Sequence, residues 1–182
     1  MNWTLPGTML TIQREEAPQI EKQLSAMFMA GGIVLSQVAS ITGLEPYTVQ
    51  NWVKRGFLPP PDHKRYNLNQ LCRIININML KRTLLMEQIV SLIGYINGSL
   101  ADTSDDTIDD SKLYFMFVKL AASAPSLRDP NEADASIEAV LQDYMEPIPG
   151  AKERVAKVLK VMITAWVAAR LHESANKMVE AL

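Results

Sequence analysis

The amino-acid sequence predicts a mainly α-helical protein, with two short helices and a small β-ribbon toward the N-terminus and an all-helical C-terminal half. Three observations carry this. Apolar residues recur at helical spacings of three and four over residues 15–30, 83–96 and 151–182. Gly43, Pro46, Gly56 and the run Pro59-Pro60-Pro61 cut an intervening stretch into short pieces. The 182 residues are 48% hydrophobic and 21% charged, which supplies a core and argues against disorder, in one or two compact units.

Met1 to Gln13, with Trp3, Pro6 and Gly7, lacks sustained periodicity and reads as an arm. Glu15 to Ala30 sets Ile20, Leu24, Met27 and Phe28 on one stripe, and Gly31-Gly32 ends that packing helix. Ser36 to Ile41 is a short helix with Ser36 as N-cap; Gly43 follows, and Pro46 suits the first turn of a helix that runs to about Arg55 and closes at Gly56. Three consecutive prolines lack backbone donors and hold their neighbours extended, so a loop and a small ribbon follow, with His63 to Tyr66 on the return. Asn67 caps a helix from Leu68 to about Leu80, and another covers Thr83 to Ile96, with Leu84, Leu85, Ile89, Leu92 and Ile93 on its apolar side. Asn97-Gly98 stops it. Ala101 to Asp110 holds five aspartates and reads as a solvated linker or helix-initiating segment. Beyond it Lys112–Ser123, Glu132–Met145 and Ala151–Leu182 read helical. In the last of these, Val155, Val158, Leu159, Met162, Ile163, Trp166 and Val167 form a broad apolar face opposite Glu153, Lys157, Lys160 and Thr164, which needs cover from its own bundle or another subunit.

The net charge of −2 hides a polarity along the chain. Residues 33–95 carry Lys54, Arg55, Lys64, Arg65, Arg73, Lys81 and Arg82 against Glu45, Asp62 and Glu87, a balance of +4, whereas residues 96–182 stand at −5. Screening limits each charge to about 8–10 Å, so the local sign counts and a polyanion partner stays open. The most apolar stretch, Val155 to Leu171, is broken by Lys157, Lys160 and Arg170, so no membrane span is expected. Arg14, Glu15 and Glu16 fall where a secretory leader would be apolar, and the single Cys72 has no internal disulfide partner, which points to the cytoplasm. One cysteine and two histidines are too few for a structural zinc site; Cys72, on an apolar-rich helix, reads as a small buried hydrophobe.

The most informative stretch is Leu35 to Pro60. Leu35, Val38, Ala39, Leu44, Val49, Trp52 and Val53 supply inward positions for two helices packed about a turn at Gly43, which is helix-turn-helix logic. The second helix then shows Tyr47, Thr48, Gln50, Asn51 and Lys54, the side-chain types that reach base edges and phosphates. An ordinary surface helix is polar as well.

These residues resemble the MerR family of bacterial regulators. Val38-Ala39, Thr42-Gly43 and Gly56-Phe57-Leu58-Pro59-Pro60 stand in that family's order and spacing, and Lys64-Arg65-Tyr66 with Asn67, Leu71 and Ile74 corresponds to the end of its wing and the helix after it. The resemblance spans Leu35 to Ile96 and is closer still to an uncharacterised MerR-like group from Gram-positive bacteria. It implies a MerR-like winged helix-turn-helix at 33–97, after an N-terminal arm and packing helix at 1–32. An acidic linker at 98–110 and a helical oligomerisation or effector domain at 111–182 would follow. It implies a homodimeric regulator of transcription on double-stranded DNA, without cofactor, in which Tyr47, Thr48, Gln50 and Asn51 meet bases or phosphates and Lys54, Lys64, Arg65 and Tyr66 hold phosphates. The chain departs from that pattern at Tyr47 and Gln50, where arginine is frequent, at Asn51, where an aromatic is common, and in its short wing, Pro61 to Tyr66.

Other chemistry is thinly represented. Asp105-Asp106-Thr107-Ile108-Asp109 spells the Asp-Asp-x-x-Asp pattern of magnesium-diphosphate enzymes, without a companion acidic motif. His172-Glu173 lacks the second metalloprotease histidine, since Asn176 stands there. His63 beside Lys64 and Arg65 would add to phosphate binding when protonated, or simply face solvent. No nucleophile, base and orienting group assemble, so an enzyme is not expected. The alternative to a DNA-binding regulator is a helical protein-interaction module with weak or no DNA binding.

Overall fold

The computed structural model describes residues 2–98, 106–123 and 130–182. The molecule is mostly helical, as the sequence predicts. Its first thirteen residues are more than an arm: β1 (Asn2–Thr4) pairs antiparallel with β2 (Thr11–Gln13), Trp3 opposite Ile12. The connecting loop is held by Thr8, whose Oγ1 donates to Leu5 O and accepts from the Leu10 amide. A 3-10 turn (Arg14–Gln19) and α1 (Ile20–Ala26) follow, in place of one helix from Glu15 to Ala30. Pro18 lies inside the 3-10 turn and withholds an amide there, so the regular helix is confined to the residues after it.

β3 (Ile33–Val34) leads into α2 (Leu35–Thr42), a turn, and α3 (Pro46–Lys54). The Val34 amide is capped by Gln37 Oε1, so Ser36 is not the cap. Gly43 closes α2 at φ 68° and donates its amide to Ala39 O. β4 (Arg65–Tyr66) returns to pair with β3, Ile33 opposite Tyr66. α4 (Leu68–Leu80) starts at Asn67, whose Oδ1 accepts from the Gln70 amide while Gln70 Oε1 accepts from the Asn67 amide. The Gln70 Nε2 also donates to the carbonyls of Pro59 and Pro60, fixing the proline loop to this cap. α5 (Met86–Asn97) begins three residues later than the periodicity suggests. Gln88 Oε1 takes the Leu85 amide, which makes exposed Leu85 the cap instead of a core position.

α6 (Asp110–Ser123), a second 3-10 turn (Pro130–Ala133), α7 (Asp134–Val140) and α8 (Ala151–Glu180) complete the chain. The solvated-linker expectation fails for Thr107 and Ile108, which are buried: Asn97 Nδ2 donates to Ile108 O and Thr107 Oγ1 donates to Ile96 O; Asp109 stays exposed and Asp110 starts α6. The rest of that segment, 99–105, lies outside the described residues. α4 is the central element, buried along nearly its whole length and packed on α6; α6 in turn packs on α7 and α8. One hydrophobic cluster therefore runs from Trp3 to Trp166 across both halves of the sequence. The hairpin is part of it, since Tyr114 of α6 donates its hydroxyl to Pro6 O and Asn78 of α4 donates to Gly7 O and Thr42 O. Asn78 thus ties the end of α2, the N-terminal hairpin and α4 at one point.

Candidate nucleic-acid interface

α3 is short and firmly seated. Val49 and Trp52 are buried, Lys81 lies over the Trp52 ring at 5.5 Å, and partial burial lowers the Lys81 pKa. That leaves Tyr47, Gln50 and Lys54 exposed, with Thr48 and Asn51 half-buried. Beside α3 the chain reverses between Asp62 and Arg65, whose amide donates to Asp62 O at 2.7 Å. The two central residues sit at positive φ, His63 at 46° and Lys64 at 63°. This is the mirror-image turn that matches the twist of a hairpin, and glycine or asparagine normally supplies it. Here a histidine and a lysine occupy a backbone region that L side chains disfavour. His63 Nδ1 lies 2.7 Å from Asp62 Oδ1, so this histidine already has an acidic neighbour.

The predicted residues divide. Gln50, Lys54, Lys64 and Tyr66 line a single groove of about 790 Å³ between α2, α3 and the ribbon turn, with Leu35 and Val53 among its apolar walls. Tyr47, Thr48 and Asn51 are not in those walls. Arg65 is exposed but spends Nη1 on Gly32 O at 2.9 Å, which anchors the ribbon. Tyr66 is only 3% exposed, and burial raises its hydroxyl pKa; it packs opposite Ile33 and gives the groove wall little surface. Alternation explains this, because successive strand residues point to opposite faces and Arg65 takes the outer one. Two residues at the site were missed. Ser36 lines the groove, and Arg55 is an exposed cation stacked on Phe57 at 4.7 Å; the Arg-Gly-aromatic order after a helix was the available signal for Arg55.

Elsewhere the charged groups serve the fold. A cavity of about 320 Å³ between the hairpin and α8 is walled by Trp3, Arg82, Trp166, Arg170 and Glu173. Its arginines are engaged, Arg82 with Glu173 at 3.2 Å and Arg170 over the Trp166 ring at 4.6 Å. Cys72 is buried, which pushes its thiol pKa far up and keeps it protonated. No cluster of three or more potential metal ligands occurs among the described residues, to which Asp105 of the aspartate motif does not belong. Nor is any helix there long and apolar enough to cross a membrane.

Fold and site together define a mainly helical protein in which a short helix with Gln50 and Lys54 exposed shares one groove with the two-residue turn that carries Lys64. The chain belongs to the family described as Domain of unknown function (DUF1836), whose model matches residues 13–117. It is also 21% identical over 158 residues to the Uncharacterized protein YkrK of Bacillus subtilis (strain 168), covering 80% of this chain and 68% of that protein. No solved structure matches. The family match overturns the MerR assignment. It begins at Gln13, the last residue of β2, and ends in α6, a unit that extends beyond the Leu35–Ile96 stretch on both sides. The residues behind the assignment are turn chemistry: a left-handed glycine closing a helix and prolines holding an extended exit recur wherever two short helices are joined.

Proposed function

We propose that this protein is a DNA-binding regulator of transcription in which α2 and α3 act as a helix-turn-helix and the Asp62–Arg65 turn acts as a short wing. The observation that carries the reading is the convergence of Gln50 and Lys54, on a helix locked by Val49 and Trp52, with Lys64 on one groove. A rigid helix flanked by lysines can place amide and hydroxyl side chains at base edges while the cations hold phosphates on either side. Tyr47, Thr48, Gln50 and Asn51 would read the duplex; Lys54, Arg55 and Lys64 would hold its backbone.

Fluorescence-anisotropy binding to a pool of genomic duplex fragments at two salt concentrations tests this. Lys54→Ala and Lys64→Ala should each weaken binding on all fragments and lower the salt slope by about 0.9, the loss of one phosphate contact. Arg65→Ala is a poorer probe because it also removes the bond to Gly32 O. A second reading, a protein-interaction module, draws on the apolar walls Leu35, Val53 and Pro61 of the same groove. Absence of duplex binding at low salt would favour it.

A further inference from the structure

The N-terminal hairpin is held to α4 and α6, and a cavity is left where α8 passes it. Gly7, at φ 73°, sits so close on α4 that a Cβ would stand 2.6 Å from Ile75 O, while Tyr114 and Asn78 donate to the carbonyls of Pro6 and Gly7. On the α8 side the wall is Ala169, whose methyl group cannot fill the gap, and about 320 Å³ remains. That volume lies at the lower end of small-molecule sites, about 300–1,000 Å³. The inner walls are apolar: Trp3, Leu5, Met79, Trp166 and Ala169 are all buried. Two tryptophans among them offer flat surface to a flat ligand.

The mouth is charged. Arg82 and Arg170 line the cavity and are exposed, and Glu173 joins them. Glu173 takes Lys177 on Oε1 at 3.1 Å and Arg82 on Oε2 at 3.2 Å, and these two cations hold its pKa below the ordinary carboxylate value. It therefore stays ionised and offsets one cation. Arg170 lies over the Trp166 ring at 4.6 Å and meets no carboxylate among the described residues. A guanidinium held on an aromatic face keeps its N–H donors for an anion. Arg14, outside the walls, adds a third guanidinium 5.3 Å from the Trp3 ring, with Nε and Nη1 buried and without a hydrogen-bond partner.

We propose that this cavity binds a small monocarboxylate with a flat apolar body, the carboxylate on Arg170 and Arg82 and the body against Trp3 and Trp166. The arginines call for an anion, and the ionised Glu173 beside them disfavours a dianion, so a carboxylate fits where a phosphate ester does not. The Arg82–Glu173 pair is exposed and adds little to stability, which lets a ligand carboxylate share Arg82. The cavity has no wall residue in common with the groove at α3, and the inference does not rest on DNA binding. A ligand there would touch the same loop that Asn78 ties to Thr42 O at the end of α2.

NMR of the three tryptophan indole N–H groups in the full chain reads occupancy, because Trp3 and Trp166 wall the cavity and Trp52 does not. Titration with 2-naphthoate should move the Trp3 and Trp166 signals and leave Trp52 in place. The neutral 2-naphthamide should bind roughly tenfold more weakly, the loss of one hydrogen bond between charged groups, and 2-naphthyl phosphate more weakly than the carboxylate. Arg170→Gln, at an exposed position, should keep the thermal midpoint and lose roughly tenfold in affinity. Ala169→Leu should fill the cavity and abolish binding. Trp3 and Trp166 signals that stay fixed at millimolar 2-naphthoate, equal binding of the amide, tighter binding of the phosphate ester, or parental affinity in Arg170→Gln or Ala169→Leu would each overturn the inference.

Discussion

Arg73 and Lys64 contribute equally to the basic count of residues 33–95, yet the structure uses them in opposite ways. Arg73 donates Nε to Asp110 Oδ2 at 2.9 Å, with the two side chains 7% and 13% exposed, and this pair pins α4 to α6. Lys64 stands exposed at the tip of a two-residue turn with a backbone no lysine prefers. Arg82 likewise has its charge met by Glu173. The polarity visible in the sequence therefore overstates the field available to a polyanion, which comes from Lys54 and Lys64 on one groove and from Arg55 and Arg65, exposed at the next positions in the chain. Buried charge in this molecule buys position; exposed charge on strained backbone is where a ligand would be met.

The largest effect should come from the buried side of that contrast. Arg73→Met leaves Asp110 without its counter-charge and is expected to cost about 3 to 5 kcal/mol in chemical denaturation. Adding Asp110→Leu should recover much of the loss, since a well-packed apolar pair is often as stable as a buried ionic one. The loss should also depend on pH. Burial lifts the Asp110 carboxyl to about 6 even with Arg73 opposing it. A raised carboxyl favours the protonated form in the fold, so its contribution to stability is full below the unfolded value near 4 and is lost as pH rises through 6. Without Arg73 the carboxyl rises further, so the deficit of Arg73→Met should be larger at pH 8 than at pH 5. A pH-independent deficit would mean that Asp110 is not desolvated at this contact.

A smaller loss is expected at Gly7, where the hairpin meets α4. Its φ is 73°, and a Cβ there would stand 2.6 Å from Ile75 O. Gly7→Ala combines left-handed strain with a backbone clash, about 2 to 3 kcal/mol. Because Asn78 links Gly7 O and Thr42 O, displacement of this loop should also loosen the end of α2. Hydrogen exchange at the Gly43 amide, bonded to Ala39 O, reads that coupling. Unchanged protection beside a lowered midpoint would confine the damage to the hairpin.

What the sequence disclosed follows the range of the interactions involved. The end of α2 and the starts of α3 and α4 are written within four residues of themselves, in Gly43, Pro46 and Asn67, and were legible; the start of α2 was not, since Gln37 caps Val34 and Ser36 does not serve. The hairpin was not, because three-residue strands carry no period and its fixing partners, Asn78 and Tyr114, lie 71 and 108 residues from Gly7 and Pro6. Asp110 looked like one aspartate of a solvated run because Arg73 is 37 residues away. Tyr66 was grouped with Lys64 and Arg65 by adjacency, although the alternation of a strand already sends neighbours to opposite faces. The groove itself was half legible: Gln50, Lys54 and Lys64 were chosen for side-chain chemistry, and only the fold shows that Asn51 and Thr48 are half-buried beside it.

The smallest expected change tests the exposed side of the contrast, and there stability and binding should move in opposite directions. Glycine adopts the φ of 63° found at Lys64 without the penalty a side chain incurs, so Lys64→Gly should stabilise the fold by about 0.5 to 1 kcal/mol in spite of glycine's greater freedom when unfolded. The same substitution removes a cation from the groove and should lower the salt slope of duplex binding by about 0.9. A turn selected for the fold alone would favour glycine or asparagine at this position, so the binding arm of this test asks whether the lysine serves a charged partner. Lys64→Asn separates the two effects further, since asparagine tolerates positive φ but carries no charge: it should match Lys64→Gly in binding while gaining less stability. If both variants are more stable and bind duplex as the parent does, the turn has no part in the interface. If both are less stable, the lysine is held by contacts that outweigh the strain of its backbone.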